Sequence, residues 1–108
     1  MNDLFQKFET VPAREIIPGF DAHLIHTDKQ TLSLVKTKAG SHLPQHHHFH
    51  EQISMVMEGE FEMTVEGQTK VCGKGDVVVI PSNAVHSGRS LTDCIILDTF
   101  TPVREDYQ

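Results

Sequence analysis

A small all-β sandwich or barrel is the fold this sequence predicts, and three observations predict it. Short runs of β-branched and apolar residues recur about every eight to twelve residues. Gly, Pro or Asn stands between them. No long amphipathic helical pattern interrupts them. At 108 residues, with 38% apolar and 22% charged residues, the chain makes one domain with room for a real core.

Taken in order, residues 1–19 form an N-terminal arm. Leu4, Phe5 and Phe8 give it a short apolar face to pack on the body or on a partner chain. Residues 11–19 contain Pro12 and Pro18, which rule out a long helix there. The barrel occupies residues 20–101. Residues 20–27 read weakly as a strand, 28–30 as a turn, and the β-branched stretch 31–37 as a strand. A turn at 38–40 leads to a long strand over 46–58, bent near Phe49. Its second half is apolar on both parities, so the face away from the histidines needs cover, from the arm or from another subunit. Glu58-Gly59-Glu60 turns tightly. Residues 61–65 and 69–72 pair as a hairpin around Glu66-Gly67-Gln68. A turn at 73–76 precedes the buried strand Val77-Val78-Val79-Ile80. Pro81-Ser82-Asn83 turns again, Val85 and His86 begin a short strand, and 92–101 is the last strand. Residues 102–108 form an irregular tail.

Charge and composition exclude several functions. The net charge is −6, and no basic cluster exceeds two residues, which argues against nucleic acid and anionic membranes as partners. A small acidic substrate remains open, because one arginine or metal ion can hold a carboxylate. No apolar run approaches the roughly 18 residues of a membrane span. No basic segment followed by an apolar one opens the chain, so a cytoplasmic location is expected. Cys72 and Cys94 lie far apart in apolar surroundings with no Cys-x-x-Cys spacing, and read as two buried reduced thiols.

Chemistry concentrates in residues 40–59, which hold five of the eight histidines. On a strand, residues i and i+2 share a face. His46 and His48 therefore point the same way, and Gln52 shares their parity. One strand can thus supply three sides of a metal site. Taken alone, the run also reads as a surface histidine tract that binds metal by accident. His47 and Glu51 have the opposite parity and point away. His50 has the right parity and is placed at the rim or behind the ligands. His23, His26 and His42 read as ordinary surface or core histidines.

The spacing of two segments resembles the cupin superfamily. Gly40-x5-His46-x-His48-x3-Gln52-x6-Gly59 is similar to its first motif, with Gln52 where Glu is usual. Gly75-x5-Pro81-x-Asn83-x2-His86 is similar to its second, with Asn83 where Gly is usual. Asn tolerates left-handed backbone better than other non-glycine residues, so that change is mild. Fifteen residues separate the motifs. The resemblance implies a cupin double-stranded β-helix, that is, a jelly-roll barrel, with one divalent transition metal in its mouth. By position the metal ligands are His46, His48, Gln52 and His86. Three imidazoles and an amide oxygen suit Zn, Ni, Mn, Fe or Co. A neutral amide leaves the 2+ charge uncompensated, which favours polarising a substrate oxygen over oxygen activation at iron.

The C-terminal stretch Leu97-Asp98-Thr99-Phe100-Thr101-Pro102-Val103-Arg104-Glu105-Asp106-Tyr107 resembles the end of the pectin-degradation cupins. Those proteins also carry a Gln among their metal ligands, and convert unsaturated uronate monosaccharides to linear keto-uronates. The resemblance implies that Asp98, Phe100 and Arg104 surround the substrate, an acidic sugar. In those roles Asp98 moves a proton, Phe100 walls the sugar ring and excludes water, and Arg104 forks the uronate carboxylate. Asp98 also fits a second role, holding a ligand histidine. Two alternatives stand beside the uronate enzyme: another metal-dependent cupin enzyme, such as a dioxygenase or small-acid lyase, and a non-catalytic metal- or sugar-binding cupin. The apolar arm and the two-sided strand around Met55 and Met57 fit a homodimer.

Overall fold

The computed structural model describes residues 4–108; residues 1–3 of the expected arm lie outside it. Ten strands form two antiparallel sheets. In chain order they are β1 (Ala13–Ile17), β2 (Phe20–His26), β3 (Thr31–Thr37), β4 (His42–His46), β5 (Glu51–Glu58), β6 (Phe61–Val65), β7 (Gln68–Cys72), β8 (Val77–Ile80), β9 (His86–Ser90) and β10 (Cys94–Thr101). Single 3-10 turns lie at Phe8–Thr10 and Glu105–Tyr107. One sheet runs β1-β2-β3-β10-β5-β8 and the other β4-β9-β6-β7. This is the all-β fold that the recurrence of short strands predicts, in the jelly-roll form that the resemblance to the cupins implies. Among the described residues, no helix is long and apolar enough to cross a membrane.

Alternation builds the core. On β3, β5 and β10 every second side chain turns inward, and the two inner faces meet around Phe20, Val35, Val56, Phe61, Ile80 and Ile96. Phe20 and Phe61 pack edge to face at 6.2 Å. Gly88 on β9 lets Phe61 in, since a Cβ there would lie 2.3 Å from the Phe61 ring. Cys72 and Cys94 are buried free thiols, as expected. Asn83 sits at φ +64°, the left-handed conformation anticipated from its place in the second motif.

Three expectations need correction. The long strand over 46–58 is two strands in different sheets. β4 ends at His46, residues 47–50 cross the mouth of the barrel, and β5 starts at Glu51. The crossing is stable because its carbonyls find partners in the Pro81-Ser82-Asn83 turn: Asn83 N–H donates to His48 O (2.8 Å) and Ser82 Oγ to Phe49 O (2.5 Å). Secondly, β8 is an edge strand, bonded only to β5. Its apolar run reflects one face in the core and one in the open, with Val77 and Val79 more than half exposed. Thirdly, the arm does not cover that outer face. Ile53 and Met57 are exposed beside Val77 and Val79, and Leu4 and Phe5 stand in solvent. Part of the arm is instead the strand β1, which extends the larger sheet by pairing with β2.

Candidate functional site

His46, His48 and His86 converge at the mouth of the barrel, with ring nitrogens all within 4.8 Å of one another. Each arrives differently. His46 is the last residue of β4 and faces His86 across the β4–β9 pair. His86 opens β9 after the Pro81-Ser82-Asn83 turn. His48 comes from the crossing segment, so a corner, and not a shared strand parity, brings it beside His46. The ring centroids lie 4.1 Å (His46–His86), 4.9 Å (His48–His86) and 5.7 Å (His46–His48) apart.

Main-chain carbonyls set the chemistry of these rings. His46 Nδ1 lies 2.7 Å from Pro44 O, His48 Nδ1 3.0 Å from His50 O, and His86 Nδ1 2.9 Å from Ala84 O. A carbonyl can only accept, so each Nδ1 carries a proton, and in the neutral ring Nε2 is then the free lone pair. Burial holds His86 neutral, its pKa pushed down to about 4. Burial, then the Arg104 charge, also lowers His48. Neutral imidazoles with oriented lone pairs are what a transition metal requires, and three rings whose nitrogens lie this close can hold one.

Gln52 completes the fit. It points inward from β5, and its Oε1 lies 3.0 Å from His48 Nε2. In the neutral ring with its proton on Nδ1, both of those atoms are acceptors, so both would be available to a cation held by the triad. The amide is oriented from behind. Its Nε2 donates to Ser54 Oγ (2.9 Å) and more weakly to Asp98 Oδ1 (3.4 Å). A carboxylate at position 52 would have no hydrogens to give and would face Asp98 with like charge.

The other wall of the pocket comes from β10 and the tail. Register pairs Asp98 with Ser54 and Phe100 with Gln52, so all four turn inward together. Ser54 Oγ donates to Asp98 Oδ1 at 2.5 Å. Burial raises the Asp98 carboxyl to about 6, against the hydrogen bonds from Ser54 and Gln52 and the charge of Arg104. Asp98 therefore touches the amide and not a histidine. Phe100 packs edge-on to His48 at 5.9 Å. Arg104 is 7% exposed; its guanidinium lies over the rings of Phe100 (4.6 Å) and Tyr107 (4.0 Å). The tail expected to be irregular is thus ordered around Arg104. All seven expected site residues, His46, His48, Gln52, His86, Asp98, Phe100 and Arg104, line this one pocket.

The remaining histidines separate as follows. His47 and His42 are exposed. His50 is buried, its Nε2 3.3 Å from Glu105 Oε2 and its Nδ1 without a partner among the described residues. It serves the site through its backbone carbonyl, which holds His48. His23 and His26 bond to Val11 O and Thr31 Oγ1, away from the pocket. Sequence reasoning passed over Ser54, Asp106 and Tyr107. Ser54 had a signal, the parity it shares with Gln52; the other two lie in the C-terminal stretch that carries the resemblance, but only the return of the tail shows that they reach Arg104.

Comparison with known proteins agrees with this geometry. Residues 33–100 match the Cupin domain family. The chain is 35% identical over 65 residues to the pectin degradation protein KdgF of Dickeya dadantii (strain 3937), a match spanning 59% of each protein. Among solved structures, KdgF from a Halomonas species superposes with a TM-score of 0.89 at 29% identity, covering all of both chains. An RmlC-like cupin from Shewanella frigidimarina NCIMB 400 superposes at 0.93 with 30% identity, covering 99% of this chain and 97% of that one. The two inward-turned motifs, the jelly-roll and these matches together establish that the chain belongs to the cupin family, as a small cupin resembling KdgF.

Proposed function

We propose that this protein is a metal-dependent cupin enzyme that converts unsaturated uronate monosaccharides, released in pectin or alginate breakdown, to their linear ketonised forms. One observation carries the reading. A carboxyl poised near neutrality, Asp98, is joined through Gln52 to a histidine triad fit for a metal, in a pocket whose far wall is an arginine. The likeness to KdgF proteins supports the pectin-derived substrate.

His46, His48, His86 and Gln52 would hold one divalent transition metal (Zn, Ni, Mn, Fe or Co). When bound, it supplies Lewis acidity that polarises a substrate oxygen. The chain's own groups do the rest. Arg104 holds the uronate carboxylate. Phe100 lies against the sugar ring and keeps water from that side. Asp98, with a pKa of about 6, exists in both forms near neutral pH. As the carboxylate it takes the hemiacetal hydroxyl proton while the ring C–O bond breaks to give a carbonyl and an enolate. It then returns that proton to the carbon adjacent to the enolate oxygen's carbon. The neutral Gln52 ligand favours this acid–base chemistry over oxygen activation.

The conjugated enol of the freshly released monomer absorbs in the ultraviolet, and ketonisation removes the band. The metal-loaded protein should accelerate its decay, and Asp98→Ala should slow that decay by about 10² to 10⁴-fold with metal content unchanged. No acceleration by the wild type would overturn the reading. Loss of metal from Asp98→Ala would make Asp98 structural. A second copy of the chain is the cover we assign to the outer face of Ile53, Met57, Val77 and Val79. Val79→Lys should convert a dimer to monomer in sedimentation equilibrium, and an unchanged mass would exclude that face.

A further inference from the structure

The tail beyond β10 is fastened over the pocket mouth by bonds that the uronate reading does not use. Arg104 N–H donates to Thr31 Oγ1 at 2.9 Å, and Arg14 Nη1 donates to Tyr107 O at 2.8 Å. His50 and Glu105 meet at 3.3 Å. Within this frame the Arg104 guanidinium is fixed in three ways. The Phe100 and Tyr107 rings, 89° to each other, both lie against it. Asp106 then accepts from Nε at 3.0 Å and from Nη2 at 2.8 Å. That pair uses the side edge of the guanidinium. Asp106 does not engage Nη1 or the second hydrogen of Nη2, which make up the end edge. The Tyr107 side chain also bonds the guanidinium, and the end-edge hydrogens it leaves form a fork for another carboxylate.

We propose that Asp106 is a positioning and specificity-determining residue. It occupies the side edge of Arg104, so that the end edge is presented, already oriented, to the single carboxylate of a sugar acid. This deepens the uronate reading and rests on it. The physical reason is entropic as well as electrostatic. A free arginine side chain has several rotamers to lose on binding, whereas one clamped between two rings and a carboxylate has already lost them. Asp106 also supplies a counter-charge to a buried cation that would otherwise repel a divalent metal across the same pocket. Asp106 itself is about half exposed, so its replacement leaves the core intact.

The test uses the full-length, metal-loaded protein and two probes that cannot ketonise: D-galacturonate and its methyl ester. Calorimetry should show the acid binding more tightly than the ester to the wild type. In Asp106→Asn the acid should weaken about tenfold, the value of roughly one charge-assisted hydrogen bond, while the ester changes less than about twofold. Asp106→Glu should recover part of the loss. With the unsaturated substrate, KM should rise in Asp106→Asn by more than kcat falls. An unchanged or improved affinity for the acid would overturn the proposal, since Asp106 would then be a bystander or a competitor for the guanidinium. Equal weakening of acid and ester, or failure of the Glu variant to recover, would also overturn it, because Asp106 would merely fasten the tail. Failure of the catalytic reading is separable: a wild type that prefers acid to ester but leaves the enol band unaffected loses catalysis and keeps the anchor.

Discussion

The two walls of the pocket are held by different means. On the histidine wall, main-chain carbonyls of Pro44, His50 and Ala84 fix each imidazole. Each of those carbonyls lies two residues from its histidine, so local chain geometry sets tautomer and direction together. On the acid–arginine wall, side chains hold side chains: Ser54 and Gln52 hold Asp98, and Asp106 with two aromatic rings holds Arg104. The first arrangement is stiff and tolerates change outside the ligands. The second is tunable residue by residue.

Three perturbations break or sharpen that contrast, in falling order of effect. Removing an imidazole should be the most severe: His86→Ala should bring bound metal from about one equivalent to below a tenth, by elemental analysis, because no main-chain group can replace a lost ligand. Retention of stoichiometric metal would mean that the triad is not the metal centre. Next, Gly88→Ala places a Cβ against Phe61 and β6, whose Glu62 carbonyl is 2.9 Å away. It should cost about 1–3 kcal/mol by overpacking, measured by denaturant unfolding, and should disturb the histidine wall through β9 before it touches Asp98. An unchanged midpoint would show that the Phe61 ring moves aside freely.

The smallest effect separates the walls by pH in the metal-free protein. His86, with its pKa lowered to about 4, binds fewer protons folded than unfolded, so its contribution to stability grows as pH rises from about 4 to 6.5. Asp98, raised to about 6, binds more protons folded than unfolded. Its contribution is present at low pH and is lost as pH rises from about 4 through 6. The two slopes oppose each other in the wild type. Asp98→Asn should remove one of them, leaving a stability that climbs between pH 4 and 6.5. A flat profile in that variant would mean that His86 is not held neutral by burial.

Much of this site was legible before the fold. The resemblance to the cupin motifs placed His46, His48, Gln52 and His86 in order. His47 and Glu51 are exposed as expected, though His47 lies on the crossing segment, where strand parity does not act. Parity put Asp98 and Phe100 on one inward face, which the pairing of β10 with β5 bears out residue by residue. The break after His46 was not legible, because a run of apolar and histidine residues looks the same whether it continues a strand or crosses between sheets. What distinguishes the two is the partner of each carbonyl, and for His48 and Phe49 that partner lies more than thirty residues away. The same limit hid the edge position of β8: a run of three valines and an isoleucine states that the strand is apolar, not how many neighbours it has.

The sequence alone therefore determined what depends on periodicity and short spacing: an all-β barrel, the shared inward face of Asp98 and Phe100, and, through the resemblance to the cupin motifs, the donors expected at a metal. Only the tertiary structure decided what depends on contact across the chain. It showed the corner that delivers His48, the bare face of β5 and β8, and the folded-back tail in which Asp106 and Tyr107 secure Arg104. The reason is physical. Side-chain direction is a local property of the backbone, whereas a partner is set by how distant segments pack.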